Sequence, residues 1–206
     1  MKTVLNAGHT ECDCPKETTR IIQNRKRLIS DLNTLMDDKT NCDLQITVKK
    51  QKIEAHRNIL TARSPVFAAM LKHDMNEKRT NNVTISDIDA PVFTEMLRFM
   101  YTGDCDVGNS AEDLYAAADK YDIQDLKEMC EENMRNNLDV DNAVRFLILS
   151  DAYQSKNLKE RALAFINRNA AALVKKPCWN DLMKTHPDLM TEIYMKGMGI
   201  KREAAK

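Results

Sequence analysis

The chain has 206 residues, 43% of them hydrophobic, enough to bury a core in one or two domains. Lys plus Arg and Asp plus Glu both number 31, so the formal charge is zero and the positive field of a nucleic-acid binder is missing. No apolar run approaches the ~20 residues of a membrane span, and the opening MKTVLNAGH lacks the apolar stretch of about 7–15 residues that a secretion signal needs.

Residues 1–24 are polar and aperiodic and read as a flexible tail. His9, Cys12 and Cys14 offer three metal-type ligands there, but a structural zinc site takes four, usually as two paired halves, so no metal is expected. From Arg25 to Met36, Leu28, Leu32 and Leu35 recur at i, i+4 and i+7, one stripe of an amphipathic helix. Asp37 to Asn41 break it. Leu44, Ile46 and Val48 then alternate with polar neighbours, the period-2 pattern of a half-buried strand. A polar turn leads to a second strand through Ile53 and Ala55. At His56 the period changes, with Ile59, Leu60 and Ala62 at helical spacing. Ser64-Pro65 ends one helix and opens the next, because a proline ring suits a first helical turn but not an interior. The stretch from Lys72 to Asn82 is polar except for Met75 and reads as a surface loop. Val83 and Ile85 mark a third strand.

Asp89 is placed to cap a helix with Pro91 in its first turn. Phe93, Met96, Leu97 and Met100 share one face of it, and Tyr101-Thr102-Gly103 closes it. Ser110, with Asp113 three residues on, is placed to cap the next helix, which runs to Tyr121. Helical spacing continues through Leu126, Cys130 and Met134, through Phe146 and Leu149, and through Leu163 and Ile166. Pro177 and Pro187 open two more helices, the first carrying Trp179 and Leu182, the second Leu189, Ile193 and Tyr194. Cys42, Cys105, Cys130 and Cys178 are scattered singly, a pattern of free thiols. The sequence holds no nucleophile–base pair, phosphate-binding glycine loop or carboxylate dyad. His56, at a strand-to-helix junction, is expected to be structural.

Two strings carry a family resemblance: AHRNILTARSPVFAAML, after the hairpin, and EMLRFMYTGDCDVGNSAEDLYAAADKY. Both resemble the BTB/POZ domain. The resemblance implies an α+β fold, a helical cluster capped by a small three-stranded sheet, over residues 25–136. The later helices resemble the 3-box and BACK-like region of the speckle-type POZ (MATH-BTB) family, implying a helical extension over 137–198 and a flexible end at 199–206. Members of that family carry a MATH domain ahead of the BTB domain, and here only a short tail is seen there.

The resemblance also assigns roles. The helix of Leu28, Leu32 and Leu35 matches one that packs on its twofold mate, and Ile59 matches another dimer position; packing within the subunit is the plainer alternative. Met75 and Glu77 match the hydrophobic–any–Glu signature by which such proteins hold cullin-3, against the alternative of a methionine folded back on its own domain. Tyr121 and Asp122 are expected to border that surface. Asp43 and Arg57 match a pocket of BTB repressors, although a largely buried ion pair holding the fold is the favoured reading. Tyr194 matches a second self-contact that strings dimers into larger assemblies, or else packs on the Trp179 helix.

These expectations amount to a non-enzymatic, cofactor-free, dimeric adaptor of a cullin-3 RING ubiquitin ligase, acting inside the cell (nucleus or cytoplasm) on an unidentified protein. The alternatives are a dimerisation scaffold, a corepressor-recruiting module, or a MATH-less regulator that forms mixed dimers with MATH-BTB relatives. Neither nucleic acid nor membrane is an expected partner.

Overall fold

Three short strands and a series of helices make up the chain, whose structure, a computed structural model, describes residues 15–72 and 81–200. Helix α1 spans Pro15–Asp38 and packs on α4 (Ala90–Thr102). Strand β1 (Leu44–Val48) sits between β2 (Gln51–Ala55) and β3 (Asn82–Ile85). It pairs antiparallel with β2, Ile46 opposite Ile53, and parallel with β3, Ile46 opposite Val83. The central strand buries Leu44, Ile46 and Val48 on one face, as its alternation predicts, because one face of this small sheet covers the helices.

Helices α2 (Arg57–Arg63) and α3 (Pro65–Lys72) abut at Ser64. Ser64 is fully buried; its hydroxyl donates to the Tyr121 carbonyl at 2.6 Å and accepts from the Phe67 amide at 3.2 Å, so the break between the helices is hydrogen-bonded into the core. Helix α4 ends on Gly103, whose φ of 77° is the left-handed geometry that a C-terminal glycine supplies at no steric cost. Helices α5 (Ala111–Lys120) and α6 (Gln124–Asn136) complete the main core, built around Phe67, Phe93, Met96, Leu97, Leu114 and Tyr115. A second apolar cluster, with Leu147, Ile166, Leu182 and Leu189, joins α7 (Ala143–Ala152), α8 (Lys156–Arg168), α9 (Ala170–Leu173), α10 (Pro177–Thr185) and α11 (Pro187–Gly197). Phe146 and Leu158 belong to the main core, so α7 and α8 tie the extension to the first unit.

Three local expectations are corrected. The first helix begins at Pro15 instead of Arg25, which places the second part of the expected tail in α1; Pro15 suits a first helical turn, and Ile21 and Ile22 precede Leu28 and Ile29 by seven residues. Asp89 makes no side-chain cap, because its carboxylate pairs with Lys49 instead. Ser110 makes none either, since it closes a 3₁₀ turn (Gly108–Ser110) that leads straight into α5. Side-chain caps do form at Ser64, which accepts from the Phe67 amide ahead of α3, and at Ser155, which accepts from the Leu158 amide at 3.3 Å.

Candidate functional site

Helix α1, packed on α4, carries an exposed apolar face. Leu28 is 58% exposed, and Ile21, Ile22 and Ile29 are also open. Farther along, Leu32 is half-buried, while Leu35 and Met36 pack partly against the main core. The predicted leucine stripe therefore divides: its last turn anchors the helix on its own subunit, and its first part has no cover among the described residues. Ile59, on α2, is half-buried against the same core. A helix face open along several turns costs hydrophobic free energy until a partner covers it.

The second predicted surface is known at its two ends. Met75 and Glu77 lie outside the described residues, as do His9, Cys12 and Cys14. On one side of them, the Arg57 guanidinium donates to the Leu71 carbonyl at 3.3 Å; on the other, it donates to Asn81 Oδ1 at 2.7 Å. The Gln45 amide also holds the Asn81 carbonyl at 2.8 Å, tying the second end to β1. Arg57 thus clamps both approaches to the 73–80 segment, a role that residue spacing gave no means to find.

This corrects the expected Asp43–Arg57 ion pair. Asp43 is exposed and accepts from the Arg57 backbone amide at 2.7 Å, while the guanidinium points away toward Leu71 and Asn81. An aspartate just ahead of β1 satisfies an otherwise free donor in the first turn of α2, and the arginine side chain is left to reach Leu71 and Asn81.

Tyr121 is corrected as well. It is 1% exposed and stacks on Phe67, ring centroids 4.6 Å apart, so it is a core residue and offers no surface to a partner. Burial, reinforced by the nearby Asp87 carboxylate, pushes its phenol up to about 12. Asp122 beside it is exposed in left-handed geometry, φ 53°, and accepts from Gln124 Nε2 at 2.7 Å. Tyr194 is 64% exposed on α11, near the open side chains of Met198 and Ile200, and so it does not pack beneath the Trp179 helix.

His56 joins three elements. Its Nε2 lies 2.8 Å from the Thr40 carbonyl and its Nδ1 2.7 Å from the Tyr101 hydroxyl, which also accepts from the His56 amide at 2.9 Å. The consistent assignment is a neutral ring with the proton on Nε2, donating to Thr40 and accepting from Tyr101. Its ligands are consumed in holding the fold.

Among the described residues, no three His, Cys, Asp or Glu side chains gather as a metal site. Cys42, Cys105, Cys130 and Cys178 are free. Burial pushes the Cys105 and Cys130 thiols up to about 12, with the carboxylates of Glu95, Asp104 and Asp106 adding to the effect at Cys105. Neither thiol forms a thiolate at neutral pH, so neither is a nucleophile there. A cleft of about 280 Å³ between the sheet and α5 is lined by Lys49, Asp87, Asp89, Asp113, Lys120 and Tyr153. Its lysines already pair with Asp89 and Asp87, which leaves little field for a charged ligand. No described helix is long and apolar enough to cross a membrane.

A small three-stranded sheet over a helical cluster, with open apolar faces, defines a protein-contact module of the BTB type. The family model for the BTB/POZ domain matches residues 32–138, just over half of the chain, and the chain belongs to that family. It is 37% identical over 174 residues to protein maternal effect lethal 26 of Caenorhabditis elegans, a similarity that covers 83% of this chain and 44% of the relative. The chain thus spans under half the length of that curated relative. Among solved structures, the BTB domain of zebrafish PATZ1 aligns at 23% identity with a TM-score of 0.47, over 54% of this chain and 91% of that one.

Proposed function

We propose that the protein is a non-catalytic, dimeric adaptor of a cullin-3 RING ubiquitin ligase, of the speckle-type POZ kind, that brings a bound protein to the ubiquitin-loading machinery. The dimer is formed through the α1 face of Leu28, Leu32 and Leu35, with Ile59 at its edge. Cullin-3 is held through Met75 and Glu77, with Asp122 near the rim. A methionine gives an adaptable apolar anchor and the glutamate an orienting charge. The similarity to the nematode relative runs over 174 residues, more than the BTB family model spans, which supports a shared helical extension beyond residue 138. Tyr194 on that extension serves a second self-contact.

The observation that carries the reading is the Arg57 clamp: a guanidinium spent on Leu71 and Asn81 suits a segment between them that must be presented in one place. The test is gel filtration of the purified chain with the N-terminal helical domain of cullin-3. Co-elution with two cullin chains per dimer is expected; separate elution would transfer the case to a dimerisation scaffold or a corepressor-recruiting module.

A further inference from the structure

Helix α1 has its charges in an order that works against a helix standing alone. Arg20, Arg25, Lys26 and Arg27 all precede Asp31, Asp37 and Asp38, and no basic residue lies in the last turn. Asp37 and Asp38, anions in the last turn, oppose the helix dipole. All seven are exposed, and none has an ion-pair partner among the described residues.

Four of these charges share one flank. At about 100° per residue, Arg20, Arg27, Asp31 and Asp38 fall within about 40° of one another, about a quarter-turn from the Leu28–Leu32–Leu35 stripe. Their heights are symmetric about Ile29: Arg27 and Asp31 stand two residues either side of it, Arg20 and Asp38 nine. When a helix is turned end for end by a twofold axis beside it, each flank meets the same flank of its mate. With that axis at Ile29, Arg20 meets Asp38 of the second copy and Arg27 meets Asp31, four contacts in all. On the opposite flank of the stripe Ile22 reaches the level of Met36 and Ile29 that of Ile29, while Leu28, Leu32 and Leu35 reach the levels of Ser30, Lys26 and Gln23. Asp38, unfavourable at the end of its own helix, becomes complementary to Arg20 of the second copy.

Resting on the dimer proposed above, we propose that the N-terminal half of α1, which begins ahead of the family-matched residues, extends the twofold contact as an antiparallel charge-paired helix that selects a second copy of this chain. A close relative with the same leucines but other flank charges is then a poorer mate. Electrostatic order of this kind sets partner choice more than strength.

The test uses two full-length variants, Arg20→Asp with Arg27→Asp, and Asp31→Arg with Asp38→Arg. Each alone places like charges opposite each other; mixed, they are complementary. Analytical ultracentrifugation at low salt should show each variant self-associating about tenfold or more weakly than wild type, with the mixed pair near wild-type strength and the contrast fading as salt screens it. The fourfold reversal in one chain should restore the homodimer, which separates pairing from folding. Variants that dimerise like wild type, or a mixture without preference for the hetero-pair, would overturn the inference and leave the leucine dimer standing. A monomeric wild type would instead remove the dimer reading itself.

Discussion

Arg57 donates from its guanidinium to the side-chain oxygen of Asn81 at 2.7 Å, and so links the first turn of α2 to the residue just ahead of β3. The same group reaches the Leu71 carbonyl, so one side chain sets the separation of the two ends of the 73–80 segment. Arg57→Ala should remove a charged donor from two acceptors, at about 1.5–3 kcal/mol per bond at most. A lower melting temperature is expected, together with a cullin-3 affinity down by about tenfold and an unchanged dimer. Calorimetry beside light scattering reads all three; a variant with full cullin affinity would detach Arg57 from the docking segment.

Replacement of Leu28, Leu32 and Leu35 by Asp removes the stripe from both subunits at once. Each buried leucine contributes roughly 1.5–3 kcal/mol, and each change is felt twice across the twofold axis. The expected product is a monomer. Leu28→Asp alone is the cleaner probe, because Leu28 is 58% exposed while Leu35 also serves the subunit's own core. Static light scattering that finds the single and the triple variant dimeric and folded would exclude this face.

Tyr101→Phe deletes the hydroxyl that accepts from the His56 amide and meets its Nδ1. The donor and acceptor left behind are partly buried, so the loss should be about 1–3 kcal/mol. Thermal unfolding should fall by several degrees with the dimer intact. An unchanged melt would mean that the Thr40–His56–Tyr101 link carries no stability.

The buried phenol of Tyr121 predicts an alkaline limit. Its proton is held up to about 12 in the folded chain, against an ordinary value of about 10 for a free tyrosine. Between those two values the unfolded chain has lost the proton and the folded chain keeps it, so unfolding is favoured as pH rises. Cys105 and Cys130, also held up to about 12, start the loss of stability near pH 9, and Tyr121 adds on the order of 2 kcal/mol to it in the window from about 10 to 12. Tyr121→Phe should lessen the fall between about 10 and 12 while the thiols' share remains, and denaturant titrations at stepped pH measure it. An equally steep fall in the variant would move the effect to other groups.

Alternation and helical spacing made the sheet, the abutting α2–α3 pair and the buried face of α4 legible, because each depends on which neighbours are apolar. Leu44, Ile46 and Val48 are buried as read, and Gly103 ends its helix as read. What stayed hidden depends on long side chains and on distant partners. The clamp by Arg57 joins residues 14 and 24 positions away, which no local pattern records. Tyr121 sits in a string that looks like an exposed helix end, yet the carbonyl of that residue accepts from Ser64 and its ring stacks on Phe67, both far back in the chain. The early start of α1 was there to be read in the seven-residue repeat of Ile21-Ile22, Leu28-Ile29 and Leu35-Met36, but the polar residues between masked it.

The adaptor reading is tested most directly by calorimetric titration of the cullin-3 N-terminal domain into the wild-type chain and into Met75→Ala with Glu77→Lys. Loss of a central anchor typically costs at least ~2 kcal/mol, or about thirtyfold in affinity. The account predicts saturable binding of one cullin per protomer to the wild type, and a loss of about thirtyfold or more in the variant with the dimer preserved. Binding to neither chain would contradict the adaptor function, and equal binding to both would contradict the place assigned to the contact.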